Sequence, residues 1–133
     1  MKMRMKNNGV VFLIVIFAIA LLTTITVGIL IMSTEELLLM DNKLYATQAM
    51  CTAEAGLNAA FAQIRSNSGW TTGFTNISFN GGSYTVTVTG TQSTLTIISI
   101  GTSSQGYMAQ LVANVTVGAT SPYKIMINRL GIN

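Results

Sequence analysis

Residues Val10 to Met32 run for 23 positions without a charged side chain. As a helix rising ~1.5 Å per residue, the run spans ~34 Å, enough to cross a ~30 Å hydrocarbon core. Lys2, Arg4 and Lys6 stand in front of it, and none of the first nine residues is acidic. Gly9 directly precedes the apolar segment. A chain built this way is constrained to be an anchor with a body attached. Its basic end stays on the cytoplasmic side by the positive-inside rule, with the rest outside.

The body must fit within 133 residues in all, enough for one domain of modest core. Only 8% of the chain is charged, against ~25% for an average soluble domain. Residues 66 to 121 carry no charge and are rich in Ser, Thr, Asn and Gly. Such a neutral polar surface suits dense self-packing or exposure outside the cell; compositional drift is the plain alternative. The net charge of +3 arises from the leader. From Val10 onward, Lys43, Arg65, Lys124 and Arg129 balance Glu35, Glu36, Asp41 and Glu54. No basic patch exists for nucleic acid.

Catalytic constellations are missing from the sequence. There is no histidine, which excludes imidazole metal sites and His-dependent triads. Cys51 is the single cysteine, so it has no partner for an intramolecular disulfide and no histidine base. The expectation is a buried thiol; an intermolecular pair is the alternative. No two carboxylates are placed to face each other across a cleft. Gly81-Gly82 leads into a strand pattern, not into the helix a phosphate loop requires. Asn76-Ile77-Ser78 and Asn114-Val115-Thr116 match a glycosylation pattern that is common by chance. The expectation is a protein that is not an enzyme, with no cofactor and no metal.

Three readings compete for the N-terminal segment. A secretory signal peptide is cut after a short apolar core, and Ala18-Ile19-Ala20 offers a site. Leu21 to Met32 continues apolar, however, so that cut leaves a greasy new terminus. An uncleaved signal anchor is the second reading. The third rests on Lys6-Asn7-Asn8-Gly9 followed by Val10-Val11-Phe12-Leu13-Ile14. This resembles the processing site of type IV pilins and type II secretion pseudopilins. The resemblance implies that a prepilin peptidase cuts between Gly9 and Val10 and that Val10 is N-methylated. Most pilins carry glutamate at the fifth mature position, where this chain has Ile14. In that respect it resembles minor subunits of the PilX and GspK kind. A carboxylate inside an apolar bundle is costly without a partner charge. In the family it is thought to neutralise a neighbour's terminal amine. A subunit lacking it gains less from adding behind another and suits the end of a filament.

Ser33 with Glu36 reads as a capping box that would start a second helix. One continuous helix is favoured, because no proline falls between Val10 and Arg65 and strong helix formers run on. Glu35 and Glu36 then mark the outer membrane boundary. Thr23, Thr24, Thr26 and Gly28 are a weak spot of low helix propensity. The resemblance makes them candidates for loosening on assembly, with close transmembrane packing as the alternative. Beyond Leu37 the pattern turns amphipathic. Ala49, Ala53, Leu57, Ala60 and Ile64 recur at three- and four-residue steps, an alanine-rich face for close helix–sheet packing. Leu37, Leu44 and Cys51 form another stripe, facing either a partner subunit or the same core. The run Thr47-Gln48-Ala49-Met50-Cys51-Thr52-Ala53-Glu54-Ala55-Gly56-Leu57-Asn58-Ala59-Ala60 resembles a segment of PilX-type minor pilins and related pilin-like proteins. Glu54 within it reads as solvent-facing, or as pairing with Lys43 or Arg65.

Ser66-Asn67-Ser68-Gly69 ends the helix. Trp70 to Asn80 reads as a loop anchored by Trp70, Phe74, Ile77 and Phe79, folded down or exposed for binding. Tyr84, Val86 and Val88 alternate with threonines in a first strand. Thr94 to Ile100, apolar on both faces, is a central strand, and Tyr107 to Val117 is a third. The short turns make an antiparallel meander. Pro122 marks a boundary, and Tyr123 to Ile127 is a fourth strand or a lid.

The expected fold is α+β and pilin-like. One long helix, membrane-spanning in its first half and amphipathic in its second, packs on an antiparallel sheet of three to four strands. The segments are a leader (1–9), a transmembrane or filament-core helix (10–32), its amphipathic continuation (33–66) and a head (67–133). The expected function is a structural subunit, minor, of a type IV pilus-like or pseudopilus filament. Its partners are other pilin-like subunits, a prepilin peptidase and inner-membrane lipid. The alternatives are a membrane-anchored extracytoplasmic binding module and a major filament subunit.

Overall fold

A computed structural model describes residues 6–91 and 93–133. Lys2 and Arg4 of the leader, and Gln92 of a turn, lie outside the described residues. A single helix, α1, runs from Lys6 to Ser66. It passes through Ser33 without a break, so the capping box is unused. Thr34 instead turns its hydroxyl back onto the carbonyl of Ile31 at 2.7 Å. Five strands follow: β1 (Phe74–Phe79), β2 (Gly82–Thr91), β3 (Thr94–Thr102), β4 (Met108–Val117) and β5 (Ile125–Ile132). They form one antiparallel sheet in the order β1-β2-β3-β4-β5.

The chain divides into two units, Met1–Asp41 and Asn42–Asn133. In the first, every described side chain from Gly9 onward is exposed. The second is the head: the last 25 residues of α1 lie on one face of the sheet. Helix positions Ala53, Leu57, Ala60 and Ile64 join Tyr84, Val86, Val88, Leu95, Ile97, Leu111, Ala113, Val115 and Val117 in one buried core. The burial of β2, β3 and β4 alternates residue by residue, because successive side chains leave opposite faces of a strand. Each fully buried Leu, Ile or Val contributes ~1.5–3 kcal/mol relative to exposure.

The sheet has five strands, not three to four. The segment read as a loop from Trp70 to Asn80 contains β1. Its hairpin to β2 pairs Phe79 with Gly82 across Asn80 and Gly81, which have φ of 46° and 78°. Two consecutive positive φ angles make a type I′ turn, whose twist matches the flanking strands. β1 lost its period-two signature to a bulge between Phe74 and Ile77, where Asn76 has φ 49° and its N–H bonds to Thr85 Oγ1. The segment read as a fourth strand or lid is a strand, longer than expected. β5 continues to Ile132 past a second irregularity, in which Arg129 pairs with Asn114 and Ile127 with Val115. Asn128, between them, gives its side-chain amide to Thr116 Oγ1 at 2.8 Å. The extra residue lets Ile127 and Leu130, three apart, align with the core-facing Val115 and Ala113.

Helix and loops are tied at both ends of the head. At the helix C-terminus, Asn67 N–H continues to Gln63 O, and Gly69 N–H bonds to Asn67 Oδ1. Tyr123 N–H reaches Arg65 O at 3.2 Å. At the opposite end, Gln48 holds two turns: its amide donates to Asn80 O, and its oxygen accepts from Ser104 N–H and Oγ. Tyr107 stacks on Tyr45 and donates its hydroxyl to Asn42 Oδ1.

Candidate functional site

The chemistry this chain offers lies in its surfaces. The first is the apolar half of α1. It is the one described helix long and apolar enough to cross a membrane, and none of its most apolar window is buried. Gly9 and Val10 both stand in helical backbone at its start, and both are exposed. Ile14, 60% exposed, is one turn further on. No side chain lies within 4 Å of where a Cβ on Gly9 or Gly28 would project. Thr23, Thr24 and Thr26 return their hydroxyls to carbonyls three or four residues earlier at 2.7–3.1 Å. Each thereby satisfies its own polar group within the helix, as an apolar environment demands. The helix is unbroken at this point.

The second surface is the seam between helix and sheet. Ala49, Ala53, Ala60 and Ile64 are fully buried and Leu57 nearly so. The approach is close because both sides are small. A Cβ on Gly101 of β3 would run into the backbone of Ala49 and Ala53. A Cβ on Gly56 would meet Ser99 Oγ and the Tyr84 ring. Ser99, fully buried, donates its hydroxyl to the Ala53 carbonyl at 2.7 Å. The run Ala53-Glu54-Ala55-Gly56-Leu57 is therefore the contact strip of the head, with Glu54 on its exposed edge.

Other expectations are corrected. Cys51 is exposed, not buried. It borders a shallow pocket with Leu44, Tyr45, Gln48, Asn80 and Ser104. Leu37 and Leu44 are exposed too, so their stripe does not share the core. Glu54 stands eleven residues from both Lys43 and Arg65, ~16 Å along a helix, too far to pair with either within the chain. Trp70 and Phe74 are packed against the core, their rings 5.0 Å apart, while Ile77 and Phe79 are exposed.

One feature escaped sequence reasoning. Beside the helix, β5 overhangs the core, leaving Ile127, Leu130 and Ile132 at 50%, 55% and 67% exposure. With Met50, Glu54, Leu57 and Phe61 they line an open apolar groove of about 320 Å³. Among the described residues, no group of three or more Cys, Asp and Glu side chains is placed to hold a metal.

The chain has a pilin-like architecture: one long N-terminal apolar helix and an antiparallel sheet packed on its later part. Comparison with protein families, curated proteins and solved structures gives no match.

Proposed function

We propose that this chain is a minor structural subunit of a type IV pilus-like or type II secretion pseudopilus filament. Residues 10–32 hold it in the cytoplasmic membrane before assembly, with the N-terminus on the cytoplasmic side. The observation that carries this reading is one helix with two fates. Its first half is apolar all round and packed on nothing, while its last turns are the spine of a small sheet. An uncovered apolar helix needs lipid or other helices around it, and its satisfied threonine hydroxyls suit either.

The leader adds the switch between these surroundings. Removal of residues 1–9 by a prepilin peptidase takes away the three leading positive charges that pin the N-terminus to the cytoplasmic face. The new terminus, N-methylated Val10, then leads an uninterrupted apolar segment into a filament core. Ile14 in place of a carboxylate leaves a neighbour's terminal amine without a counter-charge. That favours a special position over a repeating one, and so a minor subunit. Its partners are pilin-like subunits, the peptidase and membrane lipid.

Co-expression with a prepilin peptidase tests this. The chain shortens by nine residues, and a Gly9→Val variant does not. A chain of unchanged length in the presence of active peptidase overturns the reading. Abundance in sheared filaments equal to that of the main subunit overturns the minor assignment.

A further inference from the structure

The two edges of the sheet are finished differently. At β1 the bulge draws the Asn76 N–H back onto Thr85 Oγ1, which blunts that edge. At β5 the backbone stays open. Gln110 and Asn133 exchange both of their backbone hydrogen bonds. Such pairs alternate along an antiparallel ladder, so the next bonded pairs are Val112 with Gly131 and Asn114 with Arg129. Leu130 and Ile132, between them, direct N–H and C=O away from β4. No strand among the described residues pairs with that side of β5. The same two residues, with Ile127, bring exposed apolar side chains to the groove. Free hydrogen-bonding groups and apolar surface thus coincide at the same positions. β5 has no proline, and its one charged residue, Arg129, lies on the opposite face with Asn114. Across the groove, Met50, Glu54 and Phe61 form the helical wall, and Glu54 is the one ionisable side chain in the lining.

We infer that β5 takes up, antiparallel, an extended segment of another polypeptide, apolar at alternate positions and carrying a Lys or Arg that faces Glu54. Added this way, the residues opposite Leu130 and Ile132 turn their N–H groups to β5 and their side chains into the groove. Main-chain bonds supply affinity, and the alternate side chains supply selectivity. The single carboxylate on the wall selects a basic residue among them. A second copy of this chain does not meet that requirement. Its β1 has no basic residue, and Arg129 of its β5 leaves from the face away from the groove. Docking at β5 uses only the head, so it stands or falls independently of the filament reading.

The full-length chain in lipid nanodiscs is titrated into a capped, fluorescein-labelled peptide, Thr-Ile-Thr-Lys-Thr-Ile-Thr, and anisotropy is followed. The signal rises to saturation. N-methylation of the isoleucine and lysine amides, which face β5, weakens binding about ten-fold or more, while N-methylation of the inner threonines leaves it intact. Glu54→Lys weakens binding about five-fold, and this variant prefers the peptide with glutamate in place of lysine. A groove that was merely damaged would weaken both peptides alike. Absence of saturable binding, equal losses from the two methylation patterns, the reverse pattern, or a charge preference that Glu54→Lys leaves unmoved overturns the inference.

Discussion

Gly101 and Gly56 set how closely the helix approaches the sheet. At Gly101 the obstacle to a side chain is the backbone of Ala49 and Ala53, which cannot step aside. Gly101→Ala is expected to cost ~3 kcal/mol. At Gly56 the obstacles are the Ser99 hydroxyl and the Tyr84 ring, which can shift. Alanine there also gains ~1 kcal/mol of helix propensity, so Gly56→Ala has a net cost of ~1 kcal/mol. Ser99→Ala removes the bond to the Ala53 carbonyl and costs ~1 kcal/mol. Urea unfolding of the detergent-solubilised chain, followed by Trp70 fluorescence, gives the ranking; equal losses at Gly101 and Gly56 contradict the account. Cys51 makes a separate prediction. Exposed on the helix, it reacts with a polar maleimide as completely in the folded chain as in urea. Labelling only after unfolding contradicts its placement. The sequence pointed the other way because lone cysteines are among the most buried residue types. Its helical stripe, shared with exposed Leu37 and Leu44, held the better signal.

At the scale of elements, Gln48 couples the helix to two turns that are far apart in the chain. Gln48→Ala removes its bonds to Asn80 and Ser104. Amide exchange then speeds up at residues 80–82 and 104–106, by about ten-fold for a loss of ~1.4 kcal/mol, while the β2–β3 pairing is untouched. Faster exchange across the whole head would instead mean that Gln48 supports the core. Strands β2, β3 and β4 were legible because they alternate cleanly and face a buried layer. The edge strands were less so: β1, with a bulge at Asn76, was read as a loop, and β5 was read as a strand or lid only to Ile127, where the irregularity at Asn128 breaks the period of two. The readable signal for β1 was Asn80-Gly81, a strong type I′ dipeptide, just before the alternating residues of β2. The groove beside β5 was hidden with the extension of that strand past Ile127, which supplies Leu130 and Ile132 to its wall.

For the whole molecule, the long helix needed only the absence of proline and an apolar pattern that changes character after Met32. On the proposed reading, a chain with one end apolar on every side and the other end sheet-forming and poor in charge occupies two surroundings in turn. The central claim is that a cut at Gly9 connects them. It is tested most directly by the mass of the N-terminal peptide of the native protein recovered from its membrane or filament. The account predicts a chain beginning at N-methylated Val10. A chain that retains Met1, or one cut after Ala20, contradicts it.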